Sequence, residues 1–163
     1  MKELNYYTNF LLLRFSKLPL WKSLLILCLG IICGMVILGM CTIFFGEEEA
    51  DSFTKSDSFL NDFVWVCVVA PFVETFAIYL MIKFVNWIIP KWTILQVIVP
   101  TIIFGLIHSQ SALYMVNGLL LGFVFALGFC AYYHYRGFTT AFISIMLVHS
   151  FRNLCGILSI FYS

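Results

Sequence analysis

The sequence places a few polar side chains inside long apolar runs, and these are the residues whose types and spacing could do chemistry. Glu74 is the only charged residue in a run of 20 residues, from Phe63 to Ile82. An isolated carboxylate inside a membrane is expensive and normally has a partner and a task. The other candidates are His108, His149 and Asn153, of which the last two are four residues apart and so project from one face of a helix.

These four side chains suit the attack of water on an amide carbonyl. A glutamate and a histidine together can take a proton from water, as general bases do. A second histidine and an asparagine can donate hydrogen bonds to the oxyanion that develops on the carbonyl. Glu74, His108 and His149 could instead bind zinc, since two histidines and a glutamate are a familiar three-ligand set. Because asparagine is a poor zinc ligand and a good oxyanion donor, we favour a mechanism without a metal or another cofactor.

The composition of the whole chain is that of a membrane protein. Of its 163 residues, 63% are hydrophobic and only 10% are charged, and the mean hydropathy is +1.02. A soluble surface needs a much higher density of charge. The net charge of +1 argues against a nucleic-acid partner, which would need a basic stripe. The six cysteines lie in apolar segments without a CxxC pair, so we interpret them as packing residues.

Five apolar stretches are long enough to cross a membrane as helices, which takes about 20 residues for roughly 30 Å of hydrocarbon. We therefore predict an all-α fold, a polytopic membrane helix bundle that forms a single domain over residues 1–163. The sequences GIICG (30–34) and GLLLG (118–122) have the small-xxx-small spacing that lets helix backbones approach closely. The predicted helices cover about 21–46, 59–88, 92–109, 111–133 and 138–161.

The predicted helices bring the polar groups to a similar depth. At about 1.5 Å per residue, Glu74 lies roughly 24 Å before the turn at Pro90, and His108 lies roughly 27 Å after it. On the same scale Asn153 lies roughly 24 Å after the turn at Gly137. Three helices therefore carry their polar groups at one level, and we predict that these groups form a site.

Basic residues indicate the orientation of the chain in the membrane. Positive charges precede or open the first predicted helix, flank the turn before the third helix and follow the fourth: Lys2, Arg14, Lys17, Lys22, Lys83, Lys91 and Arg136. Cytoplasmic loops are enriched in Lys and Arg, so we expect an integral membrane protein with its N-terminus in the cytoplasm. The acidic segment 47–57 would then lie on the other side.

Three short motifs carry a resemblance to a known family. They are APFVET (70–75), FGLIH (104–108) and HSFRN (149–153), with the run GLLLG between the second and the third. In order and spacing they resemble the CPBP family of intramembrane proteases, the CAAX protease and bacteriocin-processing proteins also called Abi. This family includes the Ras-converting type of prenyl-protein endopeptidase. The resemblance covers about residues 60–157 and leaves the first predicted helix uncovered.

The resemblance implies an intramembrane endopeptidase of glutamic type, expected in a prokaryotic plasma membrane. It implies that Glu74 activates water with His108 as its partner base, and that His149 and Asn153 bind the oxyanion. The partners that it implies are membrane lipid and a substrate. That substrate would be a membrane-anchored protein or a peptide such as a bacteriocin precursor.

Two positions depart from the Glu-Glu-x-x-x-Arg motif that is usual in the family, in which Glu74 matches the first glutamate. Thr75 stands in the place of the second glutamate and Tyr79 in the place of the arginine. Because both charges are lost together, no unpaired charge remains in lipid. We hypothesise that a hydrogen bond between Thr75 and Tyr79 is the neutral substitute. A prenylated CaaX substrate is not assumed, given this departure.

Two other functions stay open on the sequence. A CPBP-like protein without catalysis would serve as a bacteriocin immunity factor or a membrane binding protein, and Glu74 would then not be needed as a base. A proton-coupled transporter would use the carboxylate and the imidazoles as a relay, although no inverted repeat is evident. Arg152 either binds a substrate carboxylate or extends to the membrane interface.

Overall fold

The computed structural model describes residues 2–45 and 58–162, and in this part of the chain it contains six helices and no β-strand. The all-α bundle predicted from the sequence is confirmed. The acidic segment 47–57, which we predict to lie on the side of the membrane opposite the N-terminus, is outside the described residues. The helices are α1 (Lys2–Lys17), α2 (Leu20–Phe45), α3 (Phe59–Ile88), α4 (Thr93–Ile107), α5 (Ala112–Arg136) and α6 (Phe138–Tyr162).

Helices α2, α3, α5 and α6 are long and apolar enough to cross a membrane. Helix α4 is also apolar but has 15 residues, so it extends over about 22 Å, less than the roughly 30 Å of a hydrocarbon core. It is shorter than the predicted stretch 92–109 because the backbones of Trp92 and His108 are not helical. The five predicted spans thus correspond to four helices of spanning length and this shorter one.

Helix α1 was not predicted, because residues 2–17 are too polar for a membrane span. Its buried residues Thr8, Leu12 and Ser16 are four apart and so form one face of the helix. Helix α1 packs against α4 and α5. Its exposed residues include the apolar Leu4, Phe10 and Leu11 as well as the charged Arg14 and Lys17, so α1 turns both apolar and charged side chains away from the bundle.

Two side chains hold α1 against turns of the bundle. Asn5 donates from Nδ2 to the carbonyl of Lys91 (2.8 Å), in the turn between α3 and α4. Arg136, at the end of α5, donates from Nε to the carbonyl of Ser16 (3.0 Å) and also donates to the carbonyl of Leu18. The last carbonyls of a helix have no partners within it, so Arg136 satisfies groups that α1 leaves unpaired. The N-terminal helix and two basic turns therefore lie at the same end of the bundle.

Helix α5 is the centre of the bundle, since it packs against α1, α2, α3, α4 and α6. Its C-terminal half is completely buried at Phe125, Phe129 and Tyr132. The Tyr132 hydroxyl donates to Ser23 Oγ on α2 (2.7 Å). That bond pairs two polar groups which would otherwise be unsatisfied inside an apolar core.

A group of polar side chains joins three helices at the end of the bundle that holds the turns. Gln96 on α4 is buried, and its amide donates to Asn86 Oδ1 on α3 (2.9 Å). Its side-chain oxygen accepts from Nε2 of His134 on α5 (2.8 Å). Pro100 has no N–H to offer to the backbone carbonyl of Gln96, and the Cys130 thiol contacts this carbonyl instead (3.8 Å). A neighbouring helix thus compensates for the proline inside α4.

Glycines bring α4 and α5 into close contact at one of the two small-xxx-small sequences. A Cβ added at Gly118 would lie 2.8 Å from the Cβ of His108, and one added at Gly122 would lie 2.8 Å from the Cβ of Phe104. These distances leave no room for a methyl group. In GIICG, by contrast, a Cβ added at Gly34 would meet nothing within 4 Å in the part of the chain that is described. Only GLLLG therefore acts as a packing motif here.

We expect Gly122→Ala to lower the stability of the protein, because the new methyl group must push Phe104, and with it α4, away from α5. Overpacking of this kind typically costs about 1–3 kcal/mol. Thermal unfolding in detergent, followed by circular dichroism, measures the loss. Gly34→Ala is the matched control, and equal stability of the two variants would contradict the close packing.

Candidate active site

A cavity of about 300 Å³ lies among α3, α4, α5 and α6, and Met35 of α2 also lines it. Cavities of roughly 300–1,000 Å³ are typical of ligand sites in proteins. The structure places in this one cavity the four predicted catalytic residues and the predicted substrate residue, which are Glu74, His108, His149, Asn153 and Arg152.

Glu74 and His149 lie within ion-pair distance of each other in the cavity. Oε2 of Glu74 lies 3.5 Å from Nε2 of His149, whose residue is only 3% exposed. The imidazole stacks on the ring of Phe125, with centroids 4.4 Å apart, and the ring of Phe104 meets it nearly edge-on at 6.1 Å. Its other nitrogen, Nδ1, is buried and has no hydrogen-bond partner among the described residues. One side of this imidazole therefore faces the carboxylate, while the nitrogen on the other side keeps an unused hydrogen-bonding position.

His108 directly follows the last residue of α4, and the end of that helix fixes its tautomer. Its Nδ1 lies 2.7 Å from the carbonyl oxygen of Phe104. Since a carbonyl oxygen only accepts hydrogen bonds, Nδ1 carries the proton, and in the neutral ring Nε2 is left as an acceptor. The ring stacks on Phe104 at 4.5 Å and lies 5.5 Å from the ring of Tyr114. A neutral imidazole with a free Nε2 has the form that a general base needs.

The carboxylate pairs with one histidine and not with the other. Glu74 is within ion-pair distance of His149, whereas within the described ranges no such contact joins it to His108. Glu74 and His108 line the same cavity from α3 and α4. Joint action of these two residues therefore requires a molecule between them, such as a water that forms hydrogen bonds to both.

Helix α3, which carries Glu74, changes its backbone geometry shortly before that residue. Phe63–Val69 is a π-helical segment, in which each N–H bonds to the carbonyl five residues back, as Ala70 N–H does to the carbonyl of Trp65. The next carbonyl, that of Val66, would need the N–H of residue 71. Pro71 has none. The sequence thus leaves one carbonyl of α3 without a partner in its own helix.

Asn153 of α6 is the hydrogen-bond partner of this carbonyl, since its Nδ2 donates to the oxygen of Val66 (2.8 Å). A backbone carbonyl without a partner costs several kcal/mol in lipid, so this bond ties α6 to α3. A side-chain amide has two N–H donors. One of them fixes Asn153 in place, and the second is available to a ligand in the cavity, as the predicted oxyanion role requires.

Among the described residues that line the cavity, Arg152 is the one arginine or lysine. Its Nη1 donates to Oδ1 of Asn153 at 3.4 Å, which is a long contact. Its Nε is buried and has no hydrogen-bond partner in the described part of the chain. The side chain therefore contributes to the cavity wall and keeps hydrogen-bonding capacity for an anionic group.

The two positions that depart from the family motif do not form the hydrogen bond that we hypothesised. Thr75 is fully buried, and its Oγ1 has no hydrogen-bond partner among the residues described. Tyr79 packs in an aromatic cluster instead, with its ring 4.7 Å from that of Phe138 and 5.9 Å from that of Phe129. The hypothesis was wrong because ring packing, which sequence spacing does not reveal, places Tyr79 in this cluster.

The cavity residues do not form a metal-binding group in this geometry. Over the described residues, no three His, Cys, Asp or Glu side chains come close enough together to hold a metal ion. Glu74 and His149 are neighbours, but His108 does not complete a three-ligand set with them. The ligand set considered from the sequence therefore does not fit a zinc ion as the side chains stand.

Two further residues of the cavity were not assigned a role from the sequence. Tyr114 and Asn117 line it from the first turns of α5. They are three residues apart and so lie on one face of that helix, next to Gly118, whose lack of a side chain admits His108. The sequence could have indicated these two residues through their three-residue spacing directly before the GLLLG motif (118–122).

Residues 56–155 match the family described as type II CAAX prenyl endopeptidase Rce1-like. The matched segment is more than half of the chain, and it contains every candidate residue. No curated protein and no solved structure gives a significant match. Helices α1 and α2 lie outside the matched segment, although Met35 of α2 lines the cavity.

We expect Asn153→Ala to destabilise the protein by about 1–3 kcal/mol, because it removes the side-chain donor that pairs with the carbonyl of Val66. In a Pro71→Ala background, residue 71 offers an N–H to that carbonyl, so the same change should cost less. Thermal unfolding of the four proteins in a double-mutant cycle measures the difference. An equal cost of Asn153→Ala in both backgrounds would mean that the proline is not the reason for this bond.

Proposed function

Because the chain belongs to the family of type II CAAX prenyl endopeptidase Rce1-like proteins, we propose that it is an intramembrane endopeptidase that cleaves a membrane-associated protein or peptide. In this proposal Glu74 and His108 activate the attacking water, and His149 and Asn153 bind the oxyanion. No metal ion takes part.

The observation that carries this proposal is the meeting of one carboxylate, two imidazoles and one amide in a single cavity of an integral membrane protein. Polar groups of this kind inside a bundle are expensive, so their convergence from three helices favours a functional site over chance. The free acceptor on His108 and the spare N–H of Asn153 lie on different helices that line the same space. This arrangement can offer a base on one side of a substrate and a donor on another.

The proposed reaction begins with a water molecule between Glu74 and Nε2 of His108. Glu74 takes a proton from the water while the water oxygen forms a bond to the carbonyl carbon of the peptide. The carbonyl oxygen becomes an oxyanion, which accepts hydrogen bonds from Asn153 and from Nδ1 of His149, in the tautomer whose Nε2 accepts from the protonated Glu74. Glu74 then gives the proton to the leaving nitrogen as the C–N bond breaks, and the carboxylate is restored.

We also propose that the N-terminus lies on the cytoplasmic side. Two observations support a common side for the basic segments. Asn5 of α1 contacts Lys91, Arg136 contacts the end of α1, and both basic turns therefore lie beside the basic N-terminal helix. Positive charges gathered at one end of a bundle favour the cytoplasmic surface.

We expect Glu74→Gln and His108→Ala each to lower the rate of peptide cleavage by about 10²–10⁴-fold, because each removes a group that accepts a proton or a hydrogen bond from water. The measurement is cleavage of a pool of membrane-protein tails and peptides by the full chain in proteoliposomes. Glu3→Gln on α1, which also replaces a carboxylate by an amide, and His134→Ala, away from the cavity, are the matched controls.

The same assay separates the proposal from its rivals. Full activity of Glu74→Gln would exclude the carboxylate as the base, and a retained bacteriocin-immunity phenotype with no cleavage would identify a binding protein. Loss of cleavage with a chelator, followed by rescue with Zn²⁺, would show that the reaction uses a metal ion. Unfolding measurements on each variant establish that a lost activity is not a lost fold.

Arg152 is proposed to bind a carboxylate of the substrate, because its buried Nε has no other partner among the described residues. Hydrogen bonds to charged groups contribute about 1.5–3 kcal/mol, so Arg152→Gln should lower kcat/KM by roughly tenfold or more for a peptide with a free C-terminal carboxylate. The same peptide with an amidated C-terminus is the control and should be cleaved equally by both proteins. A similar loss for both peptides would assign Arg152 to the structure of the site instead.

A further inference from the structure

A second cavity lies between α1, α4 and α5, and it shares no lining residue with the candidate active site. Its volume is about 630 Å³, which is within the range of roughly 300–1,000 Å³ found for ligand sites. Its walls are apolar except for Thr8, Arg14 and Lys17. The Thr8 hydroxyl donates to the carbonyl of Leu4 (2.8 Å), so this group needs no ligand.

The groove runs along the surface of the bundle over about the depth of one membrane leaflet. Its lining residue on α5 farthest from the basic turns is Phe123, which lies 13 residues before Arg136 at the end of that helix. At about 1.5 Å per residue this distance is roughly 20 Å, and half of a hydrocarbon core is about 15 Å. On α4 the lining residues Ile94 and Val97 belong to the first two turns. An extended apolar chain that enters at the end of the bundle with the basic turns would fit this length.

Two cations stand at the α1 side of the groove without an anion. Arg14 and Lys17 are exposed, and in the described part of the chain neither forms a salt bridge. Arg14 lies 4.7 Å above the ring of Phe10, a contact that leaves its hydrogen-bond donors available. Basic residues beside a membrane attract anionic lipid headgroups. The groove therefore combines an apolar interior with a positive rim.

We propose that this groove binds an anionic phospholipid, with an acyl chain between α1, α4 and α5 and the phosphate at Arg14 and Lys17. The bound lipid fills the space that α1 leaves beside the bundle. It therefore stabilises the docking of a helix that does not itself span the membrane. This site is independent of the proposed reaction, because no residue of the groove belongs to the cavity that contains Glu74.

Native mass spectrometry of the delipidated full chain tests the proposal. The probes are phosphatidylglycerol, phosphatidylcholine with the same acyl chains, and water-soluble glycerol phosphate. We expect the wild type to retain phosphatidylglycerol in preference to phosphatidylcholine. The double variant Arg14→Ala/Lys17→Ala should lose this preference by about tenfold. Lys22→Ala is the matched control, since Lys22 lies over the ring of Trp21 and outside the groove.

Each contrary result has a definite meaning. Equal retention of the two phospholipids by the wild type would overturn the role of the cations, and so would an unchanged preference in Arg14→Ala/Lys17→Ala. A preference lost equally in Lys22→Ala would mean that general surface charge is responsible. If glycerol phosphate bound as tightly as phosphatidylglycerol, the proposal that an acyl chain binds between α1, α4 and α5 would be overturned. The charge reversal Arg14→Glu/Lys17→Glu, at the same exposed positions, should favour phosphatidylcholine and provides a second test.

Discussion

No water is available inside a bilayer to satisfy a backbone carbonyl, and the candidate active site depends on how one such carbonyl is satisfied. Pro71 removes the N–H that would pair with the carbonyl of Val66, and Asn153 of α6 supplies the missing donor. His149 lies one helical turn before Asn153, so the same bond sets the position of the imidazole opposite Glu74. A local defect in α3 thus fixes the placement of two helices.

Phe104 positions both imidazoles of the site. Its ring stacks on His108 and meets His149 nearly edge-on, and its backbone carbonyl accepts the proton of His108 Nδ1. Phe104 is held in turn by Gly122, where α4 and α5 approach too closely for any side chain. The geometry of the histidines therefore depends on an apolar contact between two helices, several residues away from the chemistry.

The helices outside the matched segment contribute to the protein in different ways. Helix α2 reaches the candidate active site through Met35, and helix α1 is fastened to the turns by Asn5 and Arg136. The bundle consequently has two cavities of opposite character. One is lined by acidic, basic and amide groups together with apolar ones, and the other is apolar with a basic rim beside helix α1. The two cavities share no lining residue, so a ligand in one would not touch the side chains that line the other.

Composition and spacing by themselves determined that this is an all-α membrane protein and that Glu74, His108 and Asn153 lie at a similar depth. This was possible because apolar length and rise per residue are properties of single helices. Only the tertiary structure decided that Glu74 contacts His149 rather than His108, that Tyr79 packs among aromatic rings, and that residues 2–17 form a docked helix. Those outcomes depend on how each helix is rotated about its axis and on which neighbour satisfies each polar group. Such contacts join residues far apart in the chain, so spacing along the sequence does not encode them.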